Sequence, residues 1–204
     1  MKLNLGCGPQ VTEGWVNVDY ALGARLMKIP LFRIINKKVK LFKLDWNDKI
    51  YIHDLTKKFP WNDSTIDVIY SSHTLEHLSK NQGQRFLAEC YRVLRKDGVI
   101  RIVVPDLRQV LNEYNEGLIK AEDFVEVLGV LYGESDNKLK TKLLPFLQFP
   151  HKCMYDTPRL IKILNEIGFH SSSRSAFESD INDISLVELE SRTKSAVIVE
   201  GRKG

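Results

Sequence analysis

The chain has 204 residues, 43% of them hydrophobic and 27% charged, which excludes a disordered or fibrous protein and allows one well-buried core. Three cysteines, Cys7, Cys90 and Cys153, are odd in number and form no CxxC pair. A disulfide framework and a cysteine-built zinc site are therefore not expected, and a reducing, cytoplasmic setting is. No apolar run reaches membrane-span length, and the first residues have no signal-peptide pattern. The net charge of +4 is uneven: residues 21–44 hold seven basic residues and no acid, so the remainder is net negative.

In chain order, Lys2–Leu5 reads as a strand running into Gly6-Cys7-Gly8-Pro9, and Trp15–Val18 as a second strand ending at Asp19. Nine residues separate Gly6 from Val16, too few for a full crossover helix, so a turn is expected there. Leu22, Leu26 and Ile29 share helical spacing, and Pro30 opens a further amphipathic element with Phe32 on the same apolar face. Tyr51–His53, Ile66–Tyr70 and Val99–Val104 read as strands. Between the last two, Gln84–Leu94 reads as a helix with Gly98 as its left-handed cap. The stretch 106–150 is too long for an ordinary connection and reads as a helical insertion around Leu107–Asn115, Glu122–Leu131 and Leu139–Phe146. Thr157-Pro158 reads as a cap and first turn, the helix stopping at Gly168, and Ser195–Glu200 as a last strand. The pattern is that of an α/β protein, one domain over 1–204 with a mostly parallel sheet.

The strongest chemical signal is strand, glycine turn, strand, acid. Glycines let a ligand lie against backbone, and a carboxylate ending the next strand can accept both hydroxyls of a ribose. The dinucleotide fingerprint needs a third glycine where Val11 stands and an acid farther along than Asp19. A ribose-bearing cofactor without a pyrophosphate fits better than NAD, and an NAD-dependent oxidoreductase ranks below it.

Taken together, Leu3–Gly8, Asp19, His53-Asp54-Leu55, Asp67–Leu78 and Arg92–Gly98 occur in an order that resembles class I S-adenosylmethionine-dependent methyltransferases. The small microbial predicted methyltransferases are the nearest group. The resemblance implies a Rossmann-like fold with S-adenosylmethionine as cofactor. It implies cofactor contacts from Asn4, Gly6, Cys7 and Gly8, ribose contacts from Asp19, and an adenine border at Asp54 and Leu55. Ser71, Ser72 and His73 would face the methyl group. Two departures bear on the acceptor site: the chain begins at its first strand, and the first helix is cut short.

His73-Thr74-Leu75-Glu76-His77 also matches the HxxEH pattern of inverted zinc proteases, which needs a helix to present both histidines. His73 stands three residues past a strand, so that context is missing. No metal is expected, and the sequence offers no support for a divalent cation here. His77 reads as a loop-orienting residue. For a hydroxyl acceptor, His73 and His151 are the candidate proton acceptors, with Tyr155 beside them in the segment before Thr157. The expected activity is methyl transfer to oxygen or nitrogen on a small molecule or glycan precursor. The other reading is a catalytically silent cofactor-binding module. The basic, amphipathic segment 21–44 is a candidate contact for an anionic membrane surface, while nucleic acid is not expected because no aromatic residues interleave for base stacking. The oligomeric state is left open.

Overall fold

The computed structural model describes residues 1–39, 46–133 and 149–204. Its strands are β1 (Lys2–Leu5), β2 (Val16–Asp19), β3 (Tyr51–Ile52), β4 (Ile66–Ser72), β5 (Leu94–Pro105), β6 (Phe169–Ser173) and β7 (Ala196–Lys203). Among the described residues they form one seven-stranded sheet in the order β3-β2-β1-β4-β5-β7-β6. The first five run parallel and β7 is antiparallel to both of its neighbours. Strand order reverses beside β1, with β2 on one side and β4 on the other. That is the crevice where ligands of open α/β sheets bind.

The helices are α1 (Leu22–Met27), α2 (Pro30–Val39), α3 (Lys80–Val93), α4 (Leu107–Asn115), α5 (Phe124–Val127), α6 (Thr157–Ile167), α7 (Ile184–Val187) and α8 (Glu190–Thr193). As expected from the short spacing, no helix separates β1 from β2. α3 starts earlier than its apolar stripe suggests because Ser79 and Gln82 form a reciprocal capping box. It buries Phe86, Leu87, Cys90 and Val93 in the main core, against α6 through Leu160, Ile163 and Leu164.

Several boundaries differ from the sequence reading. α3 ends at Val93, and Leu94 turns extended and is fully buried as the first residue of β5. Gly98 is therefore not the helix cap. Asp97 takes the left-handed conformation (φ 62), while Gly98 is needed for space, because a Cβ there would meet the Arg95 carbonyl oxygen at 2.9 Å. The cap of α6 falls on Asp156, whose carboxylate accepts from the Arg159 N–H at 2.9 Å, so Thr157 lies within the first turn. Gly168 closes that helix at φ 118, as expected. β6 was not anticipated, because His-Ser-Ser-Ser carries no apolar alternation and lies at the sheet edge. In the insertion, α4 matches the expected span and α5 is shorter than Glu122–Leu131. The expected helix Leu139–Phe146 lies outside the described residues.

The missing crossover helix leaves one sheet face to be covered from elsewhere. Residues 174–195 cross it, packing Ile181, Ile184 and Val187 on Trp15, Tyr70, Val103 and Ile198. Arg101, fully buried on β5, pins this cover. Its guanidinium donates to both carboxylate oxygens of Glu188 (2.8 and 2.9 Å), to Glu200 (3.2 Å), and to the carbonyls of Ser175 and Glu178. A buried arginine is tolerated only when so fully paired.

Candidate functional site: a cleft at the sheet switch point and an adjoining His/Glu cluster

The cleft is built from strand ends. Gly6 and Gly8 both have positive φ (75 and 63), which lets the chain fold back so that the N–H groups of Gly6 and Cys7 both donate to the Val18 carbonyl. The loop and the acid are then tied directly: Gly8 N–H donates to Asp19 Oδ2 at 2.8 Å and Ala21 N–H to Oδ1 at 2.7 Å. Each carboxylate oxygen keeps a further lone pair for a ligand hydroxyl. A cleft of about 240 Å³ opens beside this turn, lined by Asn4, Gly6, Cys7, Tyr70, Ser72 and Arg192 among others.

Inside the cleft, Asn4 is held by Asn17: its amide donates to Asn17 Oδ1 at 3.1 Å. Asn17 in turn takes the Thr12 N–H and donates to the carbonyls of Thr12 and Trp15. The sequence reading missed Asn17, which anchors the turn that replaces the first helix. A signal was available, since Asn stands two residues before Gly6 on β1 and two before Asp19 on β2, and the two pair in register. The Cys7 thiol is pushed up to about 12 by burial, with the Asp19 carboxylate adding to it, so it stays protonated.

The remaining expected contacts divide. The Ser72 hydroxyl is buried, lies beside the Tyr70 phenol and lines the cleft. Ser71 instead spends its hydroxyl on the Leu5 carbonyl (3.0 Å), bracing β4 to β1. Asp54 accepts from the N–H and hydroxyl of Thr56 in a tight local turn at the end of β3. The Leu55 side chain packs into the main core.

Beyond Ser72 the chain turns through His73 in a left-handed conformation (φ 51) into a 3-10 turn at Leu75–His77. His73 and His77 are thus not presented by one helix, and the protease context is absent. The His73 Nε2 lies 2.8 Å from the Arg192 carbonyl, which can only accept, so Nε2 carries the proton. Its Nδ1 faces Glu76 Oε1 at 3.4 Å. Glu76 is 1% exposed, and neither carboxylate oxygen has a hydrogen-bond partner. The segment after the insertion docks here, with Lys152 and Cys153 N–H groups both donating to the Glu76 carbonyl. This brings the His151 ring to 5.0 Å from that of His77. His151 Nδ1 donates to the Leu128 carbonyl at 2.7 Å. Burial holds His77 below its ordinary range, against the opposing pull of Glu76. Tyr155 is nearly buried nearby, and burial raises its phenol well above the ordinary value, so it remains protonated at neutral pH.

This sheet order, with an antiparallel β7 and ligand groups at the ends of β1, β2 and β4, defines a Rossmann-like methyltransferase fold. Residues 3–102 match the family model described as a methyltransferase domain. No curated protein matches the sequence. Among solved structures, a SAM-dependent methyltransferase from Methanosarcina mazei is 13% identical with a TM-score of 0.55, covering 99% of this chain and 91% of its own. The PH0226 protein from Pyrococcus horikoshii is 13% identical with a TM-score of 0.52, covering 100% of this chain and 81% of its own. At such identities the likeness speaks for the fold alone. The glycine turn and the Ser72 hydroxyl, both on the cleft, suit a cofactor laid against the ends of β1 and β4, with Asp19 tied to that turn through Gly8. No helix starts at the glycine turn to receive a pyrophosphate, which tells against NAD.

Proposed function

We propose that this protein is a cytoplasmic enzyme that methylates an oxygen or nitrogen of a small molecule or glycan precursor. The observation that carries the reading is the pair of hydrogen bonds from Gly8 and Ala21 that fix the Asp19 carboxylate beside the glycine turn at the end of β2. Bound there, the cofactor supplies an electrophilic methyl group on a sulfonium sulfur. The glycine turn would admit its methionine portion, Asp19 would accept its ribose hydroxyls, and Asp54 would border its base. Ser72 and His73 stand where β4 opens toward the methyl group.

Transfer is an in-line displacement, so most of the rate comes from holding the acceptor in place. The acceptor oxygen or nitrogen bonds the methyl carbon as the carbon–sulfur bond breaks, its electron pair remaining on sulfur. A hydroxyl acceptor also gives up a proton, which we assign to Nδ1 of His73, a ring oriented by its bond to the Arg192 carbonyl. His151 is assigned to the acceptor side, whereas Tyr155 packs in the main core with its hydroxyl beside Gly83 of α3 and lines a separate cavity, so it takes no catalytic role.

The segment 21–44 is proposed to meet an anionic membrane surface, which would suit a lipid-linked acceptor. Support comes from α2, which leaves Leu31 (67%), Ile34 (59%) and Ile35 (42%) exposed beside Arg33. Of the expected face, Ile29 is exposed as well, while Leu22, Leu26 and Phe32 are partly buried. Lys40 and Lys43 lie outside the described residues. No described helix is long and apolar enough to cross a membrane.

Calorimetric titration with S-adenosylhomocysteine, followed by a screen of hydroxyl and amine acceptors with labelled cofactor, tests the reading. Binding with turnover supports it. Binding without turnover on any acceptor favours the silent module, and a protein that binds NAD instead overturns it.

A further inference from the structure

We infer that Glu76, His77 and His151 form a binding site for one divalent first-row transition cation. One ligand atom from each residue lies within 4.8 Å of the other two. The chemistry of its members argues for an occupant.

The first argument is the carboxylate. Glu76 is 1% exposed and neither of its oxygens receives a hydrogen bond, although its backbone carbonyl receives two. Burying a carboxylate without partners is strongly unfavourable, and folds avoid it unless something compensates. The groups facing it are imidazoles: His73 Nδ1 at 3.4 Å and His77 Nε2 at 4.0 Å from Oε1. Neither meets hydrogen-bond geometry. With His73 Nε2–H committed to the Arg192 carbonyl, a neutral His73 directs a lone pair at the carboxylate, which repels rather than compensates.

The second argument is tautomer control. His151 Nδ1–H is bonded to the Leu128 carbonyl, which leaves the Nε2 lone pair available. A backbone carbonyl orienting one ring nitrogen so that the other can ligate is the usual outer-shell arrangement around metal-bound histidine. His77 Nδ1 is buried and partnerless. The backbone also fixes the geometry: His151 N–H donates to the Gly129 carbonyl and Lys152 N–H to that of Glu76. Two chain segments 74 residues apart in sequence are thereby clamped with their donor atoms converging.

Two imidazoles and one carboxylate suit manganese, iron, cobalt or zinc better than magnesium or calcium, which prefer all-oxygen shells. Three protein ligands leave open positions, the mark of a site that also takes substrate or water. Here the inference rests on the methyltransferase reading: an acceptor hydroxyl drawn to the cation would release its proton more readily, to His73 Nδ1, before its oxygen takes the methyl group. The acceptor class this favours is one with adjacent oxygen donors, such as a vicinal diol or a hydroxy acid. His151 would then be a ligand, and His73 alone the proton acceptor.

The test separates the cation from the cofactor. Chelator-treated protein is titrated with Co²⁺, followed by its visible absorption, and with Mn²⁺, followed by the resonance of the free ion. Affinity for S-adenosylhomocysteine is measured in parallel. The expected result is one equivalent of Co²⁺ with a spectrum of nitrogen–oxygen ligation, and affinity reduced more than about tenfold in Glu76→Gln and in His151→Asn. S-adenosylhomocysteine binding should persist in both variants, which shows that they are folded. His151 is partly exposed, so its variant remains informative if Glu76→Gln fails to fold. Absence of stoichiometric uptake while S-adenosylhomocysteine binds normally overturns the cation site and leaves the methyltransferase reading standing. Uptake that survives both substitutions also overturns it. Cation uptake without S-adenosylhomocysteine binding would support the site and sink the methyltransferase reading instead.

Discussion

The Gly8 N–H and the Asp19 carboxylate meet at 2.8 Å across eleven residues of sequence, joining the turn after β1 to the end of β2. The same bond closes the turn that stands in place of a first helix and fixes the acid beside it. Folding and binding therefore share one contact, and substitutions around it should separate the two.

Asp19→Ala should weaken S-adenosylhomocysteine binding by about 1.5–3 kcal/mol, the range for hydrogen bonds to a charged group. Isothermal titration measures it. Unchanged affinity would remove the ribose assignment. Asp19→Asn should recover part of the loss, because the amide oxygen still accepts one hydrogen bond.

Gly6 and Gly8 should respond differently to alanine. At Gly6 a Cβ would lie 1.9 Å from Thr74 Oγ1, and the residue also has φ 75. Gly6→Ala combines a clash with left-handed strain and should cost more than about 2 kcal/mol in a urea titration. A Cβ at Gly8 meets nothing within 4 Å. Gly8→Ala should cost about 1–2 kcal/mol from its backbone conformation alone, and its larger effect should be on cofactor affinity.

Glu188→Ala strands the buried Arg101 guanidinium and should destabilise by about 3–5 kcal/mol, the cost of an uncompensated buried charge. Because Leu186, Val187, Leu189 and Arg192 also line the cleft, the variant should lose cofactor affinity as its cover loosens. Thermal unfolding with and without S-adenosylhomocysteine reports both. A neutral result would show that the pair contributes nothing to holding the cover.

The Cys7 thiol, raised to about 12, should be nearly inert to iodoacetamide at pH 8. Only about one part in ten thousand is thiolate at that pH, against about a quarter for a free cysteine. The raised value means that reactivity should keep climbing past pH 10, where an ordinary cysteine has levelled off. Peptide mapping after timed alkylation gives the rate. Asp19→Asn should increase it at pH 8, since removing the neighbouring negative charge lowers the thiol pKa.

Sedimentation with anionic vesicles should show binding at low salt that falls steeply toward physiological salt, each basic residue contributing about 1 kcal/mol at most. Replacing Leu31 and Ile34 by serine, or Lys37 and Lys38 by glutamine, should abolish it without altering S-adenosylhomocysteine affinity. Wild-type protein that ignores such vesicles would make segment 21–44 a solvated rim.

Much of the fold was legible in the residues because local physics decides it. Lys2–Leu5 and Ile66–Tyr70 alternate or run apolar at strand period, Thr157-Pro158 marks the opening of a helix to within a residue, and Gly168 closes it through a conformation that only glycine takes freely. The short spacing between Gly6 and Val16 excluded a crossover helix by chain length alone, and the glycine turn with Asp19 marked the cofactor end. What the residues could not disclose was which distant groups meet. Arg101, Glu188 and Glu200 are spread over a hundred residues, and nothing local marks them as a buried cluster that replaces the missing helix with a C-terminal cover. Ser71 and Ser72 look alike in sequence, but the alternation of the strand sends one hydroxyl to the Leu5 carbonyl and the other to the cleft. His151 gained its place beside Glu76 and His77 only through backbone bonds that close a long loop, and such pairings depend on the packed fold rather than on sequence spacing.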